Sequence, residues 1–510
     1  MDETKNETCS TSDIARLFAE CRTMVSPLEP EFGLAGLLAD TCNCRIVKAN
    51  SRRQLYHLQT PENGYFLKCS TLVRPKDRLR HFLLPRRRWA EWHNLHRLRR
   101  GRVPSARPLA KGQSVSGHPG FYFILTRQVD GVHIPLNCFD NACNLGQYAA
   151  FLHRKKVYHS DFNRKNFILN PQGEICLLDA QQVYFPPLMP RRWRVKNLGR
   201  LSFHFCTLVE PEPWAQQLIT GYNCSPGTDI SAGEVLAAAR RHRQRRLRSR
   251  AKRCCKNSSE FEIIKNTGLR GFKQRDFSWG RQELHLAEKN GISLKGAHVI
   301  AYRGVCLKTH RLKWLHQNRC LASWKMSQAL AVRGITVPRA LGYFETKDRR
   351  YFLAELLDDR LHLNAFLSEL SEESVKRPVL KKLALWLRLF HDTDVWQRDF
   401  KSSNILCRNS EFYMVDLDGV RIRRLSNQNK IYNLAQLNAS ISNKVSIKDR
   451  LRFYRYYSTG ARPTRQQRRA VYRQVWHISK TKNTKIYNLD FDQLLESQVQ
   501  AGPVKQHEIC

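Results

Sequence analysis

The feature that most constrains this chain is a motif written twice. Residues 159–179 read HSDFNRKNFILNPQGEICLLD, and residues 397–416 read QRDFKSSNILCRNSEFYMVD. Asp161, Asn166 and Asp179 in the first are matched by Asp399, Asn404 and Asp416 in the second, with gaps of five and thirteen residues against five and twelve. His153 and His391 each lie eight residues before the first Asp, and NLGRL at 197–201 is matched by NLAQL at 433–437. Unlike letters around like polar anchors imply one site built twice, and hence two domains of one kind.

Upstream, 45–58 (RIVKANSRRQLYHL) resembles 262–275 (EIIKNTGLRGFKQR), each reading as strand, polar turn and strand. The offset between copies is about 237 near the paired Asp residues and 217 here, which places about 20 extra residues in the second copy, within 277–300. Helical spacing marks 88–100 (RWAEWHNLHRLRR) and 377–391 (RPVLKKLALWLRLFH), and buried strands fit 121–129 and 349–357. The fold class is α+β: a tail at 1–25, a domain at 26–235, a basic linker at 236–259, a second domain at 260–482 and a tail at 483–510. The linker carries nine Lys/Arg within 240–253 and reads either as a basic helix or as a solvated connection.

An Asp, an Asn five residues on and an Asp closing the next apolar strand supply what phosphoryl transfer needs. They put hard oxygens around magnesium and a carboxylate beside the attacking hydroxyl. On this reading Asp161 and Asp399 are the catalytic residues, and Asn166, Asp179, Asn404 and Asp416 hold Mg2+. The cation for the phosphates is Lys68 in GYFLKCS, with Glu91 in RRWAEWHNL as its helix partner. In the second copy the helix position of Glu91 falls on Ser323, and the strand is either GVCLKTH, offering Lys308, or HVIAYRG, offering Ala301. No G-x-G-x-x-G loop is present, so Arg52, Arg53 and Arg270 near the first turns are the candidates to meet phosphate. LLDAQ and VDLDG stand where protein kinases carry D-F-G, and Asp418 and Gly419 read as turn-shaping residues. His153 and His391 read as structural buttresses, and the first copy reads as the more complete.

Charge narrows the partners without choosing among them. Against 44 Asp and Glu stand 87 Lys and Arg, a formal net charge of +43 that must lie mostly on the surface and attract polyanions. The N-terminus has no apolar h-region, no run of about 18 apolar residues occurs, and the sixteen cysteines lack zinc-ribbon spacing. A cytoplasmic protein with reduced thiols is the expectation.

Taken together, VYHSDFNRKNFIL with LLDAQ and NLGRL, and HDTDVWQRDFKSSNIL with VDLDG, NLAQLNASI and DRLRFYRYY, resemble the bacterial lipopolysaccharide kinase family. Members of that family phosphorylate heptose or Kdo of the lipid A–core on a protein-kinase-like fold. The resemblance implies two tandem protein-kinase-like bilobal domains using ATP and Mg2+, with Lys68 on the phosphates, Glu91 pairing it, Asp161 catalytic and Asn166 and Asp179 on magnesium, and in the second copy it carries over only Asp399, Asn404 and Asp416. It implies transfer of the γ-phosphoryl group to a hydroxyl of an inner-core sugar, in a lipopolysaccharide core or another anionic glycolipid. Peripheral contact with an anionic membrane at the cytoplasmic face of the inner membrane is also implied, and nucleic acid is not. A Ser/Thr protein kinase, a small-molecule phosphotransferase and a pseudokinase scaffold on anionic membrane are the competing readings.

Overall fold

A computed structural model of the chain describes residues 7–8, 10–50, 53–71, 88–115, 120–135, 138–207, 211–224, 229–266, 268–296, 298–312, 317–442, 444–459 and 464–481. The chain divides into two units, Met1–Arg243 and Gln244–Cys510.

The first unit opens with an antiparallel sheet of β1 (Glu7–Thr8), β2 (Cys21–Val25), β3 (Asn43–Asn50), β4 (Arg53–Gln59), β5 (Gly64–Thr71), β6 (Pro108–Ser114) and β7 (Phe121–Arg127), in the order β1-β3-β4-β5-β7-β6-β2. Successive side chains on a strand point to opposite faces, and the sheet uses both. Leu67 and Cys69 of β5 turn toward α1 (Thr11–Ala19) and α2 (Leu34–Asp40), whose Ile14, Phe18 and Leu37 close that core. Lys68, between them, therefore faces the other way, toward α3 (Ala90–Arg100).

The helical half follows as α4 (Phe139–Arg154), α5 (Arg191–Leu201), α6 (Pro211–Asn223) and the part of α7 (Ala232–Ala251) up to Arg243. Helices α4 and α6 meet backbone to backbone: a Cβ added at Gly146 would lie 2.0 Å from the Leu218 carbonyl oxygen, and one at Gly221 would lie 2.0 Å from that of Cys143. Short hairpins set into this half carry the repeated motif. Strands β8 (Val132–His133), β10 (Phe167–Leu169) and β11 (Ile175–Leu177) form one sheet, while β9 (Tyr158–His159) pairs with β12 (Val183–Tyr184).

The second unit repeats the plan. Strands β13 (Phe261–Asn266) and β14 (Leu269–Gln274) lead to α8 (Arg281–Asn290), then β15 (Ile292–Lys295), β16 (Val299–Tyr302), β17 (Val305–Arg311), α9 (Arg319–Ala331), β18 (Ala340–Glu345) and β19 (Arg349–Glu355). The sheet order is β13-β14-β18-β19-β17-β16-β15. Alternation again divides it: Tyr343, Phe352 and Ala354 pack on Trp324 of α9, whereas Phe344, Leu353 and Leu307 pack on Leu284 and Ala287 of α8. The helical half comprises β20 (Leu361–His362), α10 (Leu363–Glu369), α11 (Glu373–Asp392), β21 (Val395–Gln397), β22 (Ile405–Arg408), β23 (Glu411–Met414), β24 (Val420–Ile422), α12 (Asn427–Ala439), α13 (Ile447–Ser458) and α14 (Arg465–Thr481).

The two sheet orders superimpose as β2≡β14, β6≡β18, β7≡β19, β5≡β17, β4≡β16 and β3≡β15, with α2≡α8 between β2 and β3 in one and β14 and β15 in the other. This corrects the pairing of 45–58 with 262–275. The 261–274 hairpin pairs through β14 with β18, at the edge opposite β15, and the counterpart of 45–58 is 292–302. No 20-residue insertion within 277–300 is needed. Short amphipathic hairpins look alike in sequence whichever sheet edge they occupy, so similarity alone could not choose between them.

Residues 1–25, expected as a tail, contain α1 and β2, and β2 pairs with β6. The stretch expected as a linker is helical through Ala251 and continues in a 3-10 turn at Lys252–Cys255, whose Cys254 packs against Trp324. The expected tail at 483–510 lies outside the described residues. Among the described residues no helix is long and apolar enough to cross a membrane.

Candidate active sites

In the first unit the strand and helix deliver the expected pair: Lys68 Nζ donates to Glu91 Oε1. Burial opposes the lysine's charge, but Glu91 outweighs it and holds the Lys68 pKa above its ordinary value. Arg53, opposite Ser70 on the neighbouring strand β4, shares a sheet face with Lys68, and its charge and that of Asp179 both act on the lysine. Arg52 lies outside the described residues.

The motif folds into a turn tied by its own side chains. Asn166 Nδ2 donates to the Asp161 carbonyl at 2.7 Å, which leaves the amide oxygen as the group Asn166 presents outward. Asp179 sits at φ +52°, a left-handed conformation that Asp tolerates better than most residues. Its backbone oxygen accepts from His159 Nε2 at 3.2 Å, and His159 Nδ1 accepts from the Asp161 N–H at 3.2 Å. One neutral imidazole thus donates to one Asp and accepts from the other. Burial, the largest influence, lowers its pKa and keeps it in that state. Asp179 is pushed above the usual carboxylate range, first by burial; Lys68 opposes this and Glu91 adds to it.

The second unit reproduces the turn with different letters. Asn404 Nδ2 donates to the Asp399 carbonyl at 2.9 Å, and Asp416 sits at φ +57°. Gln397 takes the place of His159: its Nε2 donates to the Asp416 carbonyl at 3.0 Å and its Oε1 accepts from the Arg398 N–H at 2.9 Å. A side-chain amide has one donor end and one acceptor end, as a neutral imidazole does, so the donation to the Asp carbonyl is kept, while the N–H it accepts from is that of Arg398 rather than that of Asp399. Lys401 Nζ is 2.8 Å from Asp399 Oδ2.

Lys308, on β17, is the residue that reaches the motif, 2.7 Å from Asp416 Oδ1 and 3.7 Å from Asp418 Oδ1. Ala301 lies on the neighbouring strand β16, opposite Cys306. Asp416 is held below the usual range because Lys308 overcomes the effect of burial, and Asp418 is pushed up, chiefly by burial. Ser323, at the place of Glu91, is buried on α9 with its hydroxyl unpartnered among the described residues. Arg270 does not belong to this site: it sits on β14, opposite Glu345, with β18 and β19 between its strand and β17. Lys295, the last residue of β15, and His298, just before β16, line the site instead.

A cavity of about 710 Å³ lies between the sheet and the motif of this unit, bounded by Val299, Lys308, Phe352, Leu357, Met414 and Asp416 among others. Its size and apolar walls suit a small-molecule ligand. At its rim the Leu356 N–H donates to the Gly304 carbonyl at 2.8 Å, and in the first unit Gln128 N–H donates to Gly64 at the same distance. The chain after β19 and after β7 is thus fixed alike in both units.

The repeated histidines are structural. His153 Nδ1 is 2.9 Å from Tyr222 Oη, and His391 Nδ1 is 2.7 Å from Tyr457 Oη, tying the helix before each motif to a later one. His159, Gln397, Lys401, Lys295 and the ion pairs of Asp418 escaped the sequence reading. A usable signal was there for two of them: His159 and Gln397, two residues before each first Asp, are both side chains that donate and accept.

The model of the lipopolysaccharide kinase (Kdo/WaaP) family matches residues 44–222 and 295–457, one span in each unit. No curated protein matches the chain. Among solved structures, WaaP in complex with acyl carrier protein is 18% identical, covering 44% of this chain and 98% of its own, with a TM-score of 0.32. Aminoglycoside-3'-phosphotransferase of type VIII is 16% identical, covering 45% and 96%, with a TM-score of 0.29. The spectinomycin phosphotransferase APH(9)-Ia, in complex with ADP and spectinomycin, is 10% identical, covering 49% and 88%, with a TM-score of 0.31.

Proposed function

The chain belongs to the lipopolysaccharide kinase (Kdo/WaaP) family, and from that premise we propose that it transfers the γ-phosphoryl group of ATP to a hydroxyl of an inner-core sugar, heptose or Kdo. The observation that carries the reading is that each unit gathers one lysine, one Asn and two Asp residues where its sheet meets its motif. We assign a phosphotransfer site to each of the two kinase-like domains.

Within each domain the roles follow from the chemistry. Lys68 and Lys308 meet the nucleotide phosphates, with Arg53 beside Lys68 and Lys295 beside Asp416. In the second domain the purine occupies the 710 Å³ cavity between Phe352, Met414 and the chain at Glu355–Leu357. Asp161 and Asp399 orient the acceptor hydroxyl and take its proton. Lys401 steadies Asp399 and adds charge where the transferred group passes. His159 fixes the backbone of both Asp residues in its domain, and Gln397 fixes that of Asp416 and of Arg398, the residue before Asp399.

The donor set fits magnesium. Asn166 and Asn404 each spend their N–H2 on a backbone carbonyl and so offer oxygen, and Asp179 and Asp416 offer carboxylates. Asn166 with Asp179, and Asn404 with Asp416, would hold Mg2+, which when bound neutralises phosphate charge. The excess of basic residues suits an acceptor rich in phosphate and carboxylate, and a locale at an anionic membrane face.

The test is phosphate transfer from labelled ATP to purified core oligosaccharide, against a panel of proteins. Wild type is compared with Asp161→Ala, Asp399→Ala and the double variant. Each single change should remove the share of its own domain and the double change should lower turnover at least about 100-fold. Unchanged turnover in both single variants would refute the assigned bases, and transfer to protein alone would refute the sugar acceptor.

A further inference from the structure

In the first domain a helix carboxylate, Glu91, holds the lysine. The second domain has none at that place, because Ser323 stands there. Its lysine is surrounded by acids of a different element: Asp416 at 2.7 Å and Asp418 at 3.7 Å, both on the turn that follows β23. Asp418 Oδ2 is also 3.7 Å from Arg319 Nε, on the first turn of α9, and Arg421 fixes the Asp418 backbone by donating to its carbonyl at 2.8 Å. The side chain of Asp418 is only 14% exposed, so its position is set by packing rather than by solvent.

The first domain links the same helix and turn in another way. Asn94 Nδ2 of α3 donates to the carbonyls of Ala180 and Val183, at 2.8 and 2.9 Å, and the residue at the place of Asp418 is Gln181. Helix-to-turn attachment and lysine anchoring are therefore separate devices in the first domain. In the second, one carboxylate touches both the lysine and the helix.

Resting on the reading that Asp416 serves magnesium, the geometry points to Asp418 as the positioning residue for Lys308. The anchoring acid has moved from the helix to the turn, and Arg319 makes α9 follow that turn. Asp418 touches neither acceptor nor phosphate; it acts by fixing the ammonium that does. Room for the original arrangement persists, because Ser323 and Lys308 line the same cavity.

That residual room supplies the experiment. In the full chain carrying Asp161→Asn, which silences the first domain, Asp418→Asn is introduced, and Ser323→Glu is then added to it. Asp418→Glu, which keeps the carboxylate, is run alongside in case the buried glutamate does not fold. Two readouts are taken with Mg2+ present: transfer to core oligosaccharide as ATP is varied, and the acetylation rate of Lys308 by acetic anhydride, read by mass spectrometry with ADP.

Asp418→Asn should lower kcat/KM for ATP roughly 10- to 100-fold and speed labelling of Lys308. Ser323→Glu or Asp418→Glu should bring both back to within about threefold of the parent, with the Mg2+ requirement unchanged throughout. Arg319→Gln, removing a contact of the same length from a more exposed partner, should cost less than about threefold. Unaltered labelling in Asp418→Asn overturns the proposal. So does a raised Mg2+ requirement that neither carboxylate restores, which would make Asp418 a metal ligand. Labelling that follows the expected pattern without transfer in any variant would leave the anchor standing and refute the phosphotransfer reading.

Discussion

Lowering the pH from 7.5 to 5.0 should weaken both domains through one repeated residue. His153 and His391 are buried against Tyr222 and Tyr457, and burial, helped by Arg194 in one case and Lys430 in the other, pushes each pKa from 6.5 to about 3. In the unfolded chain both titrate near 6.5, so between that pH and about 3 the unfolded state binds protons that the native state refuses. Stability is full above 6.5 and falls as pH drops through this window. At pH 5.0 the difference spans about 1.5 pH units, or about 2 kcal/mol for each histidine. With a urea m-value near 3 kcal/mol/M, each domain should lose somewhat under 1 M of midpoint from its histidine. Tryptophan fluorescence during urea unfolding at the two pH values measures this. His153→Gln should remove the histidine's share in the first domain alone, and His391→Gln in the second alone. Imidazole NMR signals of either residue titrating near 6.5 in the folded chain, or variants with the same pH dependence as wild type, would refute the argument.

Other outcomes follow from particular contacts. Gly146→Ala should destabilise the first domain by about 3 kcal/mol, lowering its Tm by roughly 6–12 °C in calorimetry, since the new Cβ would meet the Leu218 carbonyl at 2.0 Å. In an Asp399→Asn background, Glu91→Gln should cut transfer by the first domain about 10- to 100-fold, because Lys68 loses its charged partner. Ala354→Phe, which fills the cavity of the second domain, should weaken binding of a fluorescent ATP analogue there at least about tenfold while leaving Lys68-dependent binding intact. His159→Gln copies Gln397 into the first domain and should retain most transfer, whereas His159→Leu should lose about tenfold or more, read by initial rates.

How far the sequence could be read depended on what each residue's signal required. The spacing of Asp161, Asn166 and Asp179 recurs because a short turn with its hairpin admits few lengths, so local geometry wrote the motif into the chain twice. Lys68 and Glu91 were legible because a strand followed by an amphipathic helix brings alternate residues to one face. The hairpin at 261–274 was misplaced because strand pattern does not say which sheet edge a strand joins. Asp418 looked like a turn residue because its partners, Lys308 and Arg319, lie about 100 residues away in sequence.

By itself, then, the sequence determined that there are two like domains, where each carries its carboxylates and amide, and that a lysine precedes them on a strand in the first, while Lys308 and Ala301 stayed open in the second. Those features come from local periodicity and spacing, which the chain states directly. Which acid holds which lysine was decided only in three dimensions. Glu91 does so from a helix in the first domain, and in the second Asp416 and Asp418 lie against Lys308 from a turn, because sheet pairing and helix packing determine which distant side chains meet.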